Sequence, residues 1–276
     1  MTPEAVWRVG CRLGFRVSEP ATVALQIAPA ATAGDVLDAT LDVTIGGDPL
    51  DVELFDGDHG AVVQILHSPV GELSVAYDGV IQRGEAVPGP PVTSLDAEQL
   101  TYLRQSRYCP SDELSGFAAY ELGHLGPGPE LLAAVGGWVA SRLTYLGGAS
   151  GPLDTAVDSL FAGRGVCRDF AHLAITMLRA LDVPARLVAV YAPGLSPMDF
   201  HAVVEAYVDG RWCILDPTRL APRASLVRIT TGRDAADTAF VTVIGGTVEL
   251  LRAEVTAVID GDLPMDDHTG VVVLPL

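Results

Sequence analysis

Residues 163–186 read GRGVCRDFAHLAITMLRALDVPAR, and the fold turns on how they are read. From Val166 onward, Phe170, Leu173, Ala174, Met177, Leu178 and Leu181 recur at i, i+3, i+4 and i+7, which predicts an amphipathic helix. Asp182-Val183-Pro184 stops it, because a proline ring disfavours helical backbone in the residue before it. Cys167 then stands in the first turn, where unpaired N–H groups and the positive end of the macrodipole stabilise a thiolate. Gly163 and Gly165 allow a tight turn into the helix and close approach of a substrate. The plain alternative is a small buried apolar residue, the role expected of Cys11 and Cys213 in alternating strands. Cys109 has no helix and no evident base.

A nucleophilic thiol needs a base. His172 lies five residues after Cys167, about 140° round the same helix, and points away. His59, His67 and His268 lie in polar or turn-like surroundings, and His124 ends a helix. His201 remains, in FHAVVEAYVDGRWCILDP (200–217). Asp209-Gly210 between alternating apolar runs is a two-residue hairpin signal. That turn pairs Val208 with Arg211, which sets Val203 opposite Asp216 and makes His201 and Asp216 diagonal neighbours on one face. A one-residue slip would separate them. Phe200, Ala202, Val204, Ala206 and Val208 form the other, wholly apolar face. A carboxylate beside the histidine holds one tautomer and supports the imidazolium that a thiolate requires. Singly, His201 also reads as a core histidine and Asp216 as a turn residue before Pro217.

Before this region the period is two. In WRVGCRLGFRV (7–17), Trp7, Val9, Cys11, Leu13, Phe15 and Val17 face one way and Arg8, Arg12 and Arg16 the other. TVALQIA, LDATLDVTI and GELSVAYD repeat the pattern between turn signals, predicting an antiparallel, β-sandwich-like domain over 1–90. A Pro- and Gly-rich stretch suggests a linker over 91–105. Residues 106–276 then form a second domain in which helices, one capped at Ser111 or Asp112, precede strands that run to the C-terminus. The fold class is therefore α+β. The chain of 276 residues carries a formal charge of −18, which argues against nucleic acid or an anionic membrane surface as partner. No apolar run approaches a membrane span, and MTPEAVWRVG does not resemble a signal peptide. Four dispersed cysteines without a CxxC pair suit a reducing compartment, so a cytoplasmic location is expected. No cofactor or metal is expected: Asp266-Asp267 lacks the spacing of a calcium loop, and Asp169, His172, Asp199 and His201 show no familiar ligand spacing.

At these residues the chain resembles the transglutaminase-like superfamily. The likeness rests on GRGVCRDFAHLAITMLRALDVPAR, on DFHAVVEAYVDGRWCILDPT (199–218) and on VRITTGRDAADTAFVTVIGG (227–246), and extends to SRYCPSDEL (106–114). It implies a papain-like core, with Cys167 as nucleophile, His201 as general base and acid, and Asp216 as the orienting carboxylate. It also implies that the Cys167 backbone N–H contributes to an oxyanion hole, for which Trp138 is a thin second candidate. Thr218-Arg219-Leu220 after the Asp-Pro pair departs from a basic or amide residue frequent in bacterial relatives, and bears on substrate preference. The chemistry implied is acyl transfer on a peptide or protein amide through a thioester. The bacterial branch leans to hydrolysis by a cysteine peptidase or amidase. A protein-crosslinking transglutaminase and a non-catalytic binding scaffold are the alternatives.

Overall fold

The computed structural model describes residues 5–82 and 96–275. Seven strands come first: β1 (Val6–Glu19), β2 (Ala21–Leu25), β3 (Asp35–Ile45), β4 (Asp48–Pro49), β5 (Val52–Asp56), β6 (Val62–Ser68) and β7 (Gly71–Gln82). A helical region follows with α1 (Ala97–Leu103), α2 (Ser115–Leu122), α3 (Pro129–Arg142), β8 (Thr144–Tyr145), α4 (Ala156–Ala162), β9 (Arg164–Gly165) and α5 (Cys167–Ala180). Then come β10 (Ala185–Tyr191), β11 (Phe200–Val208), β12 (Arg211–Leu215), β13 (Val227–Gly232), α6 (Ala235–Thr238), β14 (Val241–Ile244) and β15 (Thr247–Asp260). The protein is α+β, with mainly antiparallel sheets.

The alternation of β1 produces a half-buried central strand. Val9, Cys11, Leu13, Phe15 and Val17 are almost fully buried, while Arg12 pairs with Asp78 and Arg16 with Glu249 on the wet side. Two sheets, β15-β1-β7-β3-β4 and β14-β2-β6-β5, enclose one apolar cluster. This corrects the expected domain boundary. β15 pairs antiparallel with β1 along most of its length, and β14 pairs with β2, so residues 241–260 belong to the N-terminal unit rather than to the 106–276 domain. The physical reason is that β1, central in its sheet, presents backbone N–H and C=O groups along both edges; β7 pairs with one edge and β15 with the other. The linker is corrected too. Ala97–Leu103 is helical, with the Asp96 side chain accepting from the Gln99 N–H at 2.8 Å, while residues 83–95 lie outside the described residues. The helix expected to cap at Ser111 or Asp112 begins at Ser115.

The second unit is a four-stranded sheet, β12-β11-β10-β13, with α5 packed on the Ala202, Val204, Ala206 and Val208 face. Its buried residues include Phe170, Leu173, Ala174, Met177 and Leu178, the positions of the predicted stripe. The other face is also buried, around Val188, Val190, Val203 and Ile214. The two units share a core, since Tyr191, Val227 and Ile229 join the N-terminal cluster. Tyr191 donates to the Ile27 carbonyl at 2.7 Å, and Trp7 Nε1 to that of Ser225 at 2.8 Å.

Within this sheet lies a dry charge network. Glu205 accepts from Arg186 Nε at 2.7 Å and from Arg228 Nη1 and Nη2 at 3.0 and 2.5 Å, with all three side chains essentially inaccessible. Arg186 also pairs with Glu98 of α1 and stacks 3.9 Å from the centre of the Trp212 ring. Burial pushes the Glu205 carboxyl up, but the two guanidiniums outweigh it and hold it well below the usual carboxylate range.

Candidate active site

α5 begins where the sequence places it. Asp169, three residues into the segment, reaches back to accept the Val166 N–H at 2.8 Å, satisfying a donor that the helix start leaves open. It also accepts from Ser150 Oγ and from Arg168, whose Nη2 bonds the Gly151 carbonyl at 2.8 Å, so the 146–151 loop is tied to the helix start. Gly163 has φ +65, and a Cβ on Gly165 would stand 2.6 Å from the Asp169 Cβ; both positions need glycine for different reasons.

Among the four cysteines, Cys167 alone is partly exposed. Burial pushes the Cys11 and Cys213 thiols up to about 11 and the Cys109 thiol up to about 12, so these three stay protonated and inert at neutral pH.

The hairpin forms in the expected register, Val208 with Arg211 and Val204 with Leu215. His201 Nε2 and Asp216 Oδ2 lie 3.0 Å apart, and both side chains are inaccessible to solvent. Asp216 Oδ1 accepts from the Thr218 hydroxyl at 2.7 Å and from its N–H at 2.9 Å, which fixes the carboxylate plane. Thr218 is thus an orienting residue that sequence reasoning passed over; its signal was the short polar residue two places after the aspartate, the spacing of a local side-chain turn. Burial opposes ionisation of both members of the pair. For His201, Asp216 and then Cys167 outweigh it and push the imidazole up to about 10; for Asp216, His201 and Thr218 hold the carboxyl down. Cys167 and His201 line one cavity, and the buried His201 Nδ1, the nitrogen not turned to Asp216, has no hydrogen-bond partner among the described residues. The structure therefore brings Cys167, His201 and Asp216 together.

Other expectations resolve differently. Trp138 Nε1 donates to Glu121 Oε2 at 2.7 Å and is committed to that contact. Tyr145, which sequence reading did not single out, adjoins both the backbone and the side chain of Cys167, because β8 pairs with β9 immediately before the helix. Its phenol is pushed up to about 12, by burial first and by Cys167 second, and so keeps its proton. Asp169 caps the helix, and His172 is buried, stacked 5.1 Å from Tyr108, with Nε2 accepting the Ala235 N–H at 3.1 Å.

Known proteins show which family the chain resembles. The family model for the Transglutaminase-like superfamily matches residues 120–217. A solved structure of a candidate cysteine protease from Cytophaga hutchinsonii is 32% identical, with a TM-score of 0.87 over 95% of this chain and 93% of that one. An uncharacterized protein of Mycobacterium leprae is 26% identical over 195 residues, 63% of this chain and 68% of that protein. The periplasmic domain of TgpA from Pseudomonas aeruginosa is 18% identical, with a TM-score of 0.40 over 79% of this chain and 88% of that one. Together the family match and the likeness to the Cytophaga protein support a cysteine-dependent enzyme. The chain belongs to the transglutaminase-like superfamily.

Proposed function

We propose that the protein hydrolyses peptide or amide bonds through a Cys167 thioester, with His201 as acid and base and Asp216 as the orienting carboxylate. One observation carries this reading: the partly exposed thiol lies at a helix start beside a buried histidine whose far nitrogen is 3.0 Å from a buried carboxylate. In the first half-reaction the Cys167 sulfur forms a bond to the amide carbon, and the carbonyl oxygen takes the negative charge. The Cys167 N–H and the Tyr145 hydroxyl are the donors for that oxygen. As the intermediate collapses, the C–N bond breaks and His201 Nδ1 gives its proton to the leaving amine. Water then yields a proton to Nδ1 as its oxygen attacks the thioester, and the C–S bond breaks to return thiolate and imidazolium. Asp216 holds Nε2 throughout and keeps the ring in register with the sulfur. The likeness to a candidate cysteine protease supports water, rather than a lysine amine, as the second nucleophile.

Iodoacetamide labelling at about pH 6, located by peptide mapping, tests the reading, since ordinary thiols are protonated there. Native protein is expected to carry one label, on Cys167, and His201→Ala to label at least about 10-fold more slowly. An inert Cys167, or equal rates in the two proteins, would overturn it.

A further inference from the structure

Beside the thiol lies a cavity of about 360 Å³, within the size range of sites that enclose a small-molecule ligand. Its lining combines Cys167, Arg168, Asp199 and His201 with a largely apolar remainder in which Gln26 and Thr238 are the polar side chains. Leu187, Ala189, Phe200 and Ile229 contribute from the catalytic sheet. Phe240 contributes as well, with Leu250 and Ala253 of β15, the strand that pairs with β1 of the N-terminal unit. Leu250 stands where the β1–β15 register slips between Gly14/Phe15, an irregularity of the kind that re-aims side chains near active sites. It is 42% exposed, an apolar side chain that lines the same cavity as the Cys167 thiol.

We infer that the acyl side of the substrate carries a bulky aliphatic or aromatic residue, at one of the two positions nearest the scissile carbonyl, which packs into this cavity against Leu250 and Ala253. The β unit is then a wall of the active site that selects substrates. This rests on the acyl-transfer reading above and adds to it the class of residue recognised. Cys167 and His201 would meet the reacting amide, and beyond the charged Arg168 and Asp199 the lining offers only Gln26 and Thr238 as polar side chains among apolar ones, which favours an apolar side chain there.

The probes are N-acetyl dipeptidyl chloromethyl ketones bearing Leu or Phe at either position, with Gly-Gly as reference. Each inactivation rate is divided by the iodoacetamide rate of the same protein. Burying a Leu or Phe side chain predicts a preference of about 10- to 100-fold over glycine. Leu250→Asp, at an exposed position that leaves the core intact, and Ala253→Trp, which fills the cavity, are each expected to bring that ratio to within about 3-fold of unity. A reactive thiol with no apolar preference overturns the inference alone, as does a preference that survives both substitutions. A Cys167 inert to iodoacetamide overturns the functional reading and the inference with it.

Discussion

Tyr145→Phe separates stabilisation of an oxyanion from activation of the thiol. The phenol adjoins the backbone and the sulfur of Cys167 and retains its proton, so it is available as a donor where charge develops on the carbonyl oxygen. Removing one such donor costs about 10²- to 10³-fold in turnover. Tyr145 is 45% exposed, so water can partly replace the lost hydroxyl, which places the expected loss near the lower limit, about 10²-fold or about 2.7 kcal/mol. The assay is hydrolysis of p-nitrophenyl acetate alongside alkylation by iodoacetamide. Acyl transfer passes through a tetrahedral oxyanion; displacement of iodide from a CH₂ group does not. Ester turnover is therefore expected to fall about 10²-fold while alkylation changes by less than about 3-fold. Equal losses in both would mean that Tyr145 positions the sulfur. A gain in ester turnover would mean that the phenol occupies the oxyanion position and must leave it. Either result refutes the assigned role.

Glu205→Gln leaves two guanidiniums facing each other in a dry sheet, and is expected to cost about 3–5 kcal/mol, measured by urea unfolding; a loss below about 1 kcal/mol would show that the network is solvated. Because the folded Glu205 carboxyl lies below its unfolded value, its contribution is present above the unfolded pKa and is lost as pH falls through the folded one, so the gap between native and variant should narrow in acid. His201 has the opposite sign: its folded value, about 10, lies above its unfolded value, so its contribution is complete below about pH 6.5 and is lost as pH rises through about 10. His201→Gln should flatten the alkaline limb of stability against pH, and an unchanged limb would count against the ion pair. Gly165→Ala places a methyl 2.6 Å from the Asp169 Cβ and should slow Cys167 labelling by forcing the helix cap apart; a wild-type labelling rate would show that the loop yields at no cost.

What was legible in the sequence was local. Period-3.6 patterning, a proline stop and two glycines located α5 and put Cys167 at its start; a two-residue turn fixed the register that pairs His201 with Asp216. These depend on spacing within about 20 residues of chain. What was not legible was long-range. The pairing of β15 with β1 joins Phe15 to Leu250, and period-two alternation says that a strand has a wet and a dry face without saying which strand lies beside it. The placement of Tyr145 against Cys167 escaped for the same reason: it depends on a two-residue parallel bridge, Thr144 to Arg164 and Tyr145 to Gly165, too short to leave a pattern. Trp138, the thin second candidate for the oxyanion hole, cannot serve because Glu121 takes its N–H.

The charge network and the site are connected through β11. Alternation sets His201, Val203 and Glu205 on one face, and Glu205 lies directly opposite Arg186 on β10. A slip of one residue would turn His201 from Asp216, and would also swing Glu205 into the apolar cluster of Ala202, Val204 and Ala206, leaving Arg186 and Arg228 uncompensated. An all-apolar strand would lack that penalty, since both faces of this sheet are buried and hydrophobic burial alone discriminates weakly between them. The buried ions thus add little to stability relative to apolar residues of equal volume, but they make the wrong register expensive. On this account, replacing Arg186, Glu205 and Arg228 together by apolar residues of similar size should leave stability nearly unchanged or raised, yet lower the fraction of molecules whose Cys167 labels rapidly. A triple variant that labels as a single, fully reactive population would separate the network from the site.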